Sequence, residues 1–291
     1  MADIFPQGLL TPVLAYAVSV IGSFLGLVFA SRARRAVGLV RWQWLILAAL
    51  SLGGIAVWSM HFIAMLGHTI SGTIIRYDPF LTLLSGAIPI LLMGLALHLV
   101  IRNQSNGRLL LSGTLLGVGV VSMHYTGMAS MNLHGEMHHD VVPVVASCVI
   151  GLVASTVALW FARNLKHNGA ILGASLVMGL AVSAMHYTGM AGLHVDSPEM
   201  TRYGAPEGVK ATELVLPLIV GLFVFVLICS LFLMLSGDED HRRDYSRPSH
   251  RSTEHTVLRG QEDYVPRHGS PDAPLDQDTP GSGDDVWSRP R

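Results

Sequence analysis

Ser122-Met123-His124-Tyr125-Thr126-Gly127-Met128 returns, with its histidine 62 residues further on, as Ala184-Met185-His186-Tyr187-Thr188-Gly189-Met190. A degraded copy, Ser59-Met60-His61-Phe62-Ile63-Ala64-Met65, places its histidine 63 residues before that of the first. Each copy ends an apolar run, and a second apolar run follows each one. The repeated unit is therefore a helical hairpin, present three times.

Seven apolar runs, roughly 9–31, 44–66, 80–101, 109–131, 142–162, 170–192 and 214–235, are each long enough to cross a hydrocarbon core of about 30 Å. Composition agrees with this: 51% of residues are hydrophobic and 13% charged, and the mean hydropathy is +0.48. These values exclude a water-soluble globular domain and place the chain in the lipid bilayer. The predicted fold is an all-α membrane protein with seven transmembrane helices, one leading helix plus three parallel helical hairpins. Because each hairpin enters from the same side, the repeats are related by an axis near the membrane normal.

Orientation follows from the basic residues, since cytoplasmic loops retain Lys and Arg. With the N-terminus outside, Arg32, Arg34, Arg35, Arg41, Arg102, Arg108, Arg163 and Lys166 fall in inner loops, against Arg76, Arg202 and Lys210 in outer ones. The prediction is a multi-pass protein of the cell (cytoplasmic or inner) membrane, N-terminus outside and C-terminus cytoplasmic. Asp3 stands where a signal peptide carries basic residues, so the first run is expected to remain as a helix. After Leu235 the chain turns polar: residues 236–291 hold eight Arg, twelve acids and six Pro. We divide the chain into a membrane domain, 1–235, and a disordered cytoplasmic tail, 236–291. The tail interleaves its charges, which argues against a nucleic-acid-binding arm.

Pro79, Pro143 and Pro217 are predicted at or just inside the starts of the returning helices, where first-turn N–H groups are unpaired anyway. Shaping of a pocket is a compatible role for them. Pro89 is expected to kink the third span. Cys148 and Cys229 lie at different depths, so they cannot pair and are read as packing. His98, unrepeated, is read as structural.

The repeated constellation carries the chemistry. In a helix, His124 and Met128 share a face and Met123 is turned about 100° away. The same relation joins His61 with Met65 and Met60, and His186 with Met190 and Met185. Packing alone has no need of histidine at one depth in all three hairpins, so we read these nine residues as candidate metal ligands. Thioether is soft and imidazole borderline, and no carboxylate lies within a span, which selects copper over Mg, Ca or Mn. Neutral ligands also avoid the cost of a charge buried in lipid. The turn residues His68, His134, Met137, His138, His139 and His194 could capture copper, but are read first as wet-loop residues.

At these residues the chain resembles the MHYT domain, a bacterial integral-membrane sensor family built of three Met-His-Tyr-Thr hairpins. The resemblance covers about residues 9–235. It implies sensing of a diatomic gas (O2, CO or NO) through copper held near the outer membrane face, here by Met60, His61, Met123, His124, Met185 and His186, with Pro79, Pro143 and Pro217 as weaker matches. Phe62-Ile63 departs from the pattern, so any role of the tyrosine hydroxyl is confined to two repeats. Family members often carry cyclic-di-GMP enzymes after the membrane part. The polar tail is no such domain, which implies a separate cytoplasmic signalling partner.

The reading is thus a non-enzymatic signalling sensor of gas or redox state. Copper transport or chaperoning is the alternative, weakened by the scarcity of ligands deeper in the spans beyond scattered residues such as Met93, Met178 and His98. A membrane redox metalloprotein is a further one. Hydrolysis is disfavoured because no Asp or Glu is available inside a span for base chemistry.

Overall fold

The computed structural model describes residues 9–68, 74–102, 105–133, 137–195 and 206–245. Seven helices long and apolar enough to span a membrane account for nearly all of them: α1 (Leu10–Arg35), α2 (Gly38–Leu66), α3 (Pro79–Arg102), α4 (Asn106–Ala129), α5 (Val141–Asn164), α6 (Asn168–Ala191) and α7 (Ala211–Tyr245). The chain is a multi-pass, all-α membrane protein. His134 and Arg202 lie outside the described residues.

Helix boundaries exceed the apolar runs most at two places. α2 begins at Gly38, before the apolar run, because Arg41 lies along the helix and donates to the Ala36 carbonyl at 2.8 Å, keeping its charge at the rim. α7 continues to Tyr245, so the first part of the polar tail is helical. Asp, Glu and Arg end an apolar run without ending a helix.

Local chemistry sets the turns. Gly38, at φ 60°, makes the sharp link from α1 in a left-handed conformation that only glycine adopts freely. Asp78 Oδ1 accepts from Leu81 N–H at 2.8 Å and caps α3, with Pro79 at its first position. Ser105 caps α4 in the same way through Arg108 N–H. At the same rim as Ser105, Arg34 donates from both terminal nitrogens to the carbonyls of Ala162 and Leu165 at the end of α5.

Helices α1 to α6 pack in chain order, and α6 closes on α1. α2 lies innermost, 89% buried across its span, whereas α5 and α7 are 22% buried. The third hairpin departs from the repeat pattern. Among the described residues α6 takes α5 and α1 as close backbone neighbours rather than its partner α7. Small residues explain the exchange: Gly22 and Gly26 bring α1 against Ala56 and Leu52 of α2, and Gly179 of α6 receives Val20 and Tyr16 of α1. α7 lies outside this ring, with Leu222 set over Gly54.

The outward face of α5 exposes Val142, Val145, Val149 and Val153, a stripe at helical spacing that suits lipid and not water. His98 stacks on Trp42 with ring centroids 4.7 Å apart, in keeping with a structural role. Pro89 lies inside α3 with its carbonyl against Gly53. Both cysteines are free and half-buried.

At the histidine end, the turns are stitched into two short antiparallel ribbons. β1 (Arg76–Tyr77) pairs with β2 (Met131–Asn132), and β3 (Met137–His139) with β4 (Leu193–Val195). A bridge from Tyr77 to Val209 ties in the third turn. Tyr77 is buried and packs against Phe62 with ring centroids 5.8 Å apart; that burial pushes its phenol pKa up.

Candidate metal centre

His61, His124 and His186 each stand five residues before the last residue of α2, α4 and α6. Equal position in parallel helices puts the three rings in one layer, about 7.5 Å from the helix ends. All three are buried, at 1%, 0% and 2% exposure. They meet: His61 Nδ1 lies 3.0 Å from His186 Nδ1 and 3.2 Å from His124 Nδ1. The ring planes are almost mutually perpendicular, 80° to 89°, with centroids 4.9 to 5.2 Å apart. One ligating nitrogen from each ring can therefore face a common point.

A neutral imidazole has one N–H and one lone pair. With the protons on Nε2, the lone pairs converge without a donor between them, and the Nε2 atoms of His61 and His124 have no hydrogen-bond partner. With protons on Nδ1, N–H groups compete for one acceptor at the same point. No tautomer satisfies the whole cluster, whereas a cation at the centre would take up the lone pairs. Nitrogens that share one ion at about 2.0–2.1 Å stand roughly 3.3–3.6 Å apart. The observed separations are within a few tenths of an ångström of that, so the three histidines fit a soft or borderline metal ion.

The backbone that aims these rings contains two features invisible in the repeat. Residues Leu50–Ser59 of α2 form a π-helix that ends directly before Met60-His61. Such wide turns are rare and re-phase the side chains that follow. Gly53-Gly54 lies within it, and Ser59 Oγ donates to Gly54 O at 3.0 Å. The second feature is the seat of two of the rings. A Cβ on Gly127 would lie 2.5 Å from His61 Nε2, and one on Gly189 would lie 2.5 Å from His124 Nε2. These motif glycines admit the imidazole of the preceding copy, a role more specific than general helix approach. The first copy has Ala64 in that place.

The six methionines Met60, Met65, Met123, Met128, Met185 and Met190 are all buried, between 0% and 3% exposed. Met185 turns to α5, where a Cβ on Gly151 would meet its Cγ and Cε at 3.7 and 3.8 Å. Tyr125 donates to Ser147 Oγ at 2.8 Å, since the Ser147 hydrogen is engaged by the Val144 carbonyl. Phe62 cannot make such a bond and is covered instead by Trp58 and Tyr77.

Two expectations are corrected. Pro217 lies well inside α7, beyond the first turn, because the helix starts at Ala211; there its ring removes a helical hydrogen bond. Pro79 and Pro143 do lie in first turns, Pro143 packing against Gly192. His68 is buried at 6% exposure, not a wet-loop residue, and lies within electrostatic reach of His186. It follows His61 by seven residues, two past the end of α2, but the other copies have Met131 and Leu193 there, so the repeat gave no signal. His138, His139 and His194 are exposed as expected, and His139 stacks edge-on to Tyr125, which in turn touches His124.

Comparison with known proteins places this geometry. The family described as "Bacterial signalling protein N terminal repeat", MHYT, matches residues 54–113, 117–175 and 179–243. Each matched repeat begins seven residues before its histidine, inside the membrane and not at a turn. The chain is 38% identical over 180 residues to the bifunctional diguanylate cyclase/cyclic di-GMP phosphodiesterase MucR of Pseudomonas aeruginosa, covering 60% of this chain and 26% of that protein. It is 32% identical over 197 residues to the cyclic di-GMP phosphodiesterase NbdA of the same organism, covering 65% and 24%, and 34% identical over 183 residues to an uncharacterized signaling protein of Caulobacter vibrioides, covering 62% and 22%. The match thus spans about a quarter of each relative's length. No solved structure matches. Three repeats that together span most of the chain, each contributing one histidine to a single buried cluster, make this protein a member of the MHYT family of bacterial signalling proteins.

Proposed function

We propose that this chain is a membrane sensor that holds copper through His61, His124 and His186 and responds to a diatomic gas (O2, CO or NO) or to redox state. The observation that carries the reading is the meeting of three imidazole nitrogens, 3.0 and 3.2 Å apart, in a buried site that no tautomer satisfies. Buried thioethers around them favour Cu(I), a soft ion, over zinc or a hard cation. Copper bound by three nitrogens would supply an open position for a small neutral ligand. Three nitrogens already suffice for one ion, so Met60, Met65, Met123, Met128, Met185 and Met190 serve as a soft surround from which a further ligand can be drawn.

The chain's own part in signalling is mechanical. His61, His124 and His186 couple three helices, so a change in their separation alters how α2, α4 and α6 pack along their length. These helices reach the arginine end, where Arg34 grips α5. From there the signal passes to a separate cytoplasmic partner. The enzymatic activities in the names of MucR and NbdA belong to those longer proteins; the chain itself acts as a sensor and not as an enzyme.

Metal analysis of the purified protein beside an ultraviolet-visible spectrum tests the reading. We expect about one copper per chain and no haem band; a metal-free protein that also fails to take up Cu(I) under reducing conditions would overturn it. We further propose that the histidine end faces outward across the inner membrane, on the eight-to-three bias of basic residues. A reporter fused after residue 240 should be active only on the cytoplasmic side, and activity only outside the cytoplasm reverses the orientation.

A further inference from the structure

Val57, Val120 and Val182 stand four residues before His61, His124 and His186, and all three line one cavity of ≈ 30 Å³. In α4 and α6 four residues are one turn, about 6 Å along the axis, so the cavity lies directly on the arginine side of the histidine layer. Met93, Met178 and Met185 share its wall. The hairpin repeat that converges the histidines also converges this cage one turn below them.

Its chemistry selects the occupant. Ser23 and Ser155 are the polar side chains in an otherwise apolar lining. Ser23 is fully buried, and its hydroxyl has no hydrogen-bond partner. A buried water typically makes about three hydrogen bonds, while apolar cavities stay dry and take apolar guests. The volume exceeds the roughly 10–15 Å³ that one water needs and leaves no room for a lipid chain or a ring.

We infer that this cavity is a binding site for one small uncharged molecule of diatomic size, held by the valine and methionine wall one turn from the histidines. Polarizable thioethers suit such a guest through dispersion, and the Ser23 hydroxyl offers it one donor. The site's part in sensing rests on the function proposed above; its occupancy does not, because no metal takes part in it. It would concentrate a gas beside the metal centre.

Xenon is the probe, since it matches the size and needs no metal. The full-length, metal-free chain in detergent is titrated with xenon and followed by xenon NMR, with copper content measured on separate samples. A saturable site is expected. Ala154→Phe, which fills the cavity from α5, should weaken xenon binding by about tenfold or more, and Val120→Ala, which enlarges it, should strengthen binding severalfold. If Ala154→Phe does not fold, Val120→Ala decides alone. Absence of a saturable xenon site in the parent chain, or xenon binding that neither substitution changes, overturns the inference. Xenon bound by a chain that never takes copper upholds the cavity and defeats only the copper reading, and copper bound without a xenon site does the reverse.

Discussion

Replacing His124 with alanine is expected to lower Cu(I) affinity by about a hundredfold or more, equivalent to about 3 kcal/mol, while the seven-helix bundle still inserts and folds. The substitution removes one of three nitrogens but leaves His61 and His186 in contact at 3.0 Å. The loss of packing and of the 3.2 Å contact to His61 should cost about 1–3 kcal/mol of stability. His61→Ala should be the more damaging change, because His61 Nδ1 contacts both of the others. The paired control is Met123→Leu with Met185→Leu, which conserves volume. Pure packing predicts almost no effect from it, whereas a thioether contribution predicts weaker Cu(I) binding with retained folding. Copper titration in detergent under reducing conditions reads all of these. Unchanged affinity in both the histidine and the methionine variants would return the repeated motif to packing.

A single methyl group placed at Gly189 should be nearly as damaging to the centre as loss of a ligand. The added Cβ would lie 2.5 Å from His124 Nε2 and 3.2 Å from its Cδ2, with the ring pinned on its other side by His61. The ring must therefore swing, and its Nδ1 leaves the common point. Changes that mis-aim a ligand typically cost 10–100-fold in metal affinity, and we expect a loss of about that size for Gly189→Ala and again for Gly127→Ala, which meets His61 at the same distance. Gly173→Ala is the contrast within α6: nothing lies within 4 Å of its would-be Cβ, so it should leave copper binding unchanged and stabilise the helix by about 0.5–1 kcal/mol. Copper titration beside thermal unfolding separates the two kinds of glycine. Wild-type copper affinity in Gly189→Ala would show that the ring is not seated on that glycine.

The seven spans, their parallel repetition and the shared depth of the three histidines were legible in the residues themselves. Apolar length is a direct consequence of bilayer thickness, and spacings of 62 and 63 residues between copies fix equal depth once the helices are parallel. Helix ends were less legible: the apolar run marks lipid contact, while α7 continues through polar and charged residues beyond it. Periodicity likewise gave no warning of the π-helix at Leu50–Ser59 or of Pro217 inside a helix, because hydropathy carries no record of hydrogen-bond register.

What the sequence by itself determined is the class of the protein, its membrane layer of histidines and the chemical type of its candidate ligands, all properties of composition and period along one dimension. What only the tertiary structure decided is rotation and neighbourhood. It showed that the Nδ1 atoms point at one another, that Gly127 and Gly189 are seats for the preceding copy's ring, that His68 is buried beside the cluster, and that α1 occupies the ring position the repeat reserves for α7. The reason is physical: depth accumulates residue by residue along a helix, whereas azimuth depends on which small residues let two helices approach, and that is settled only when both partners are in place.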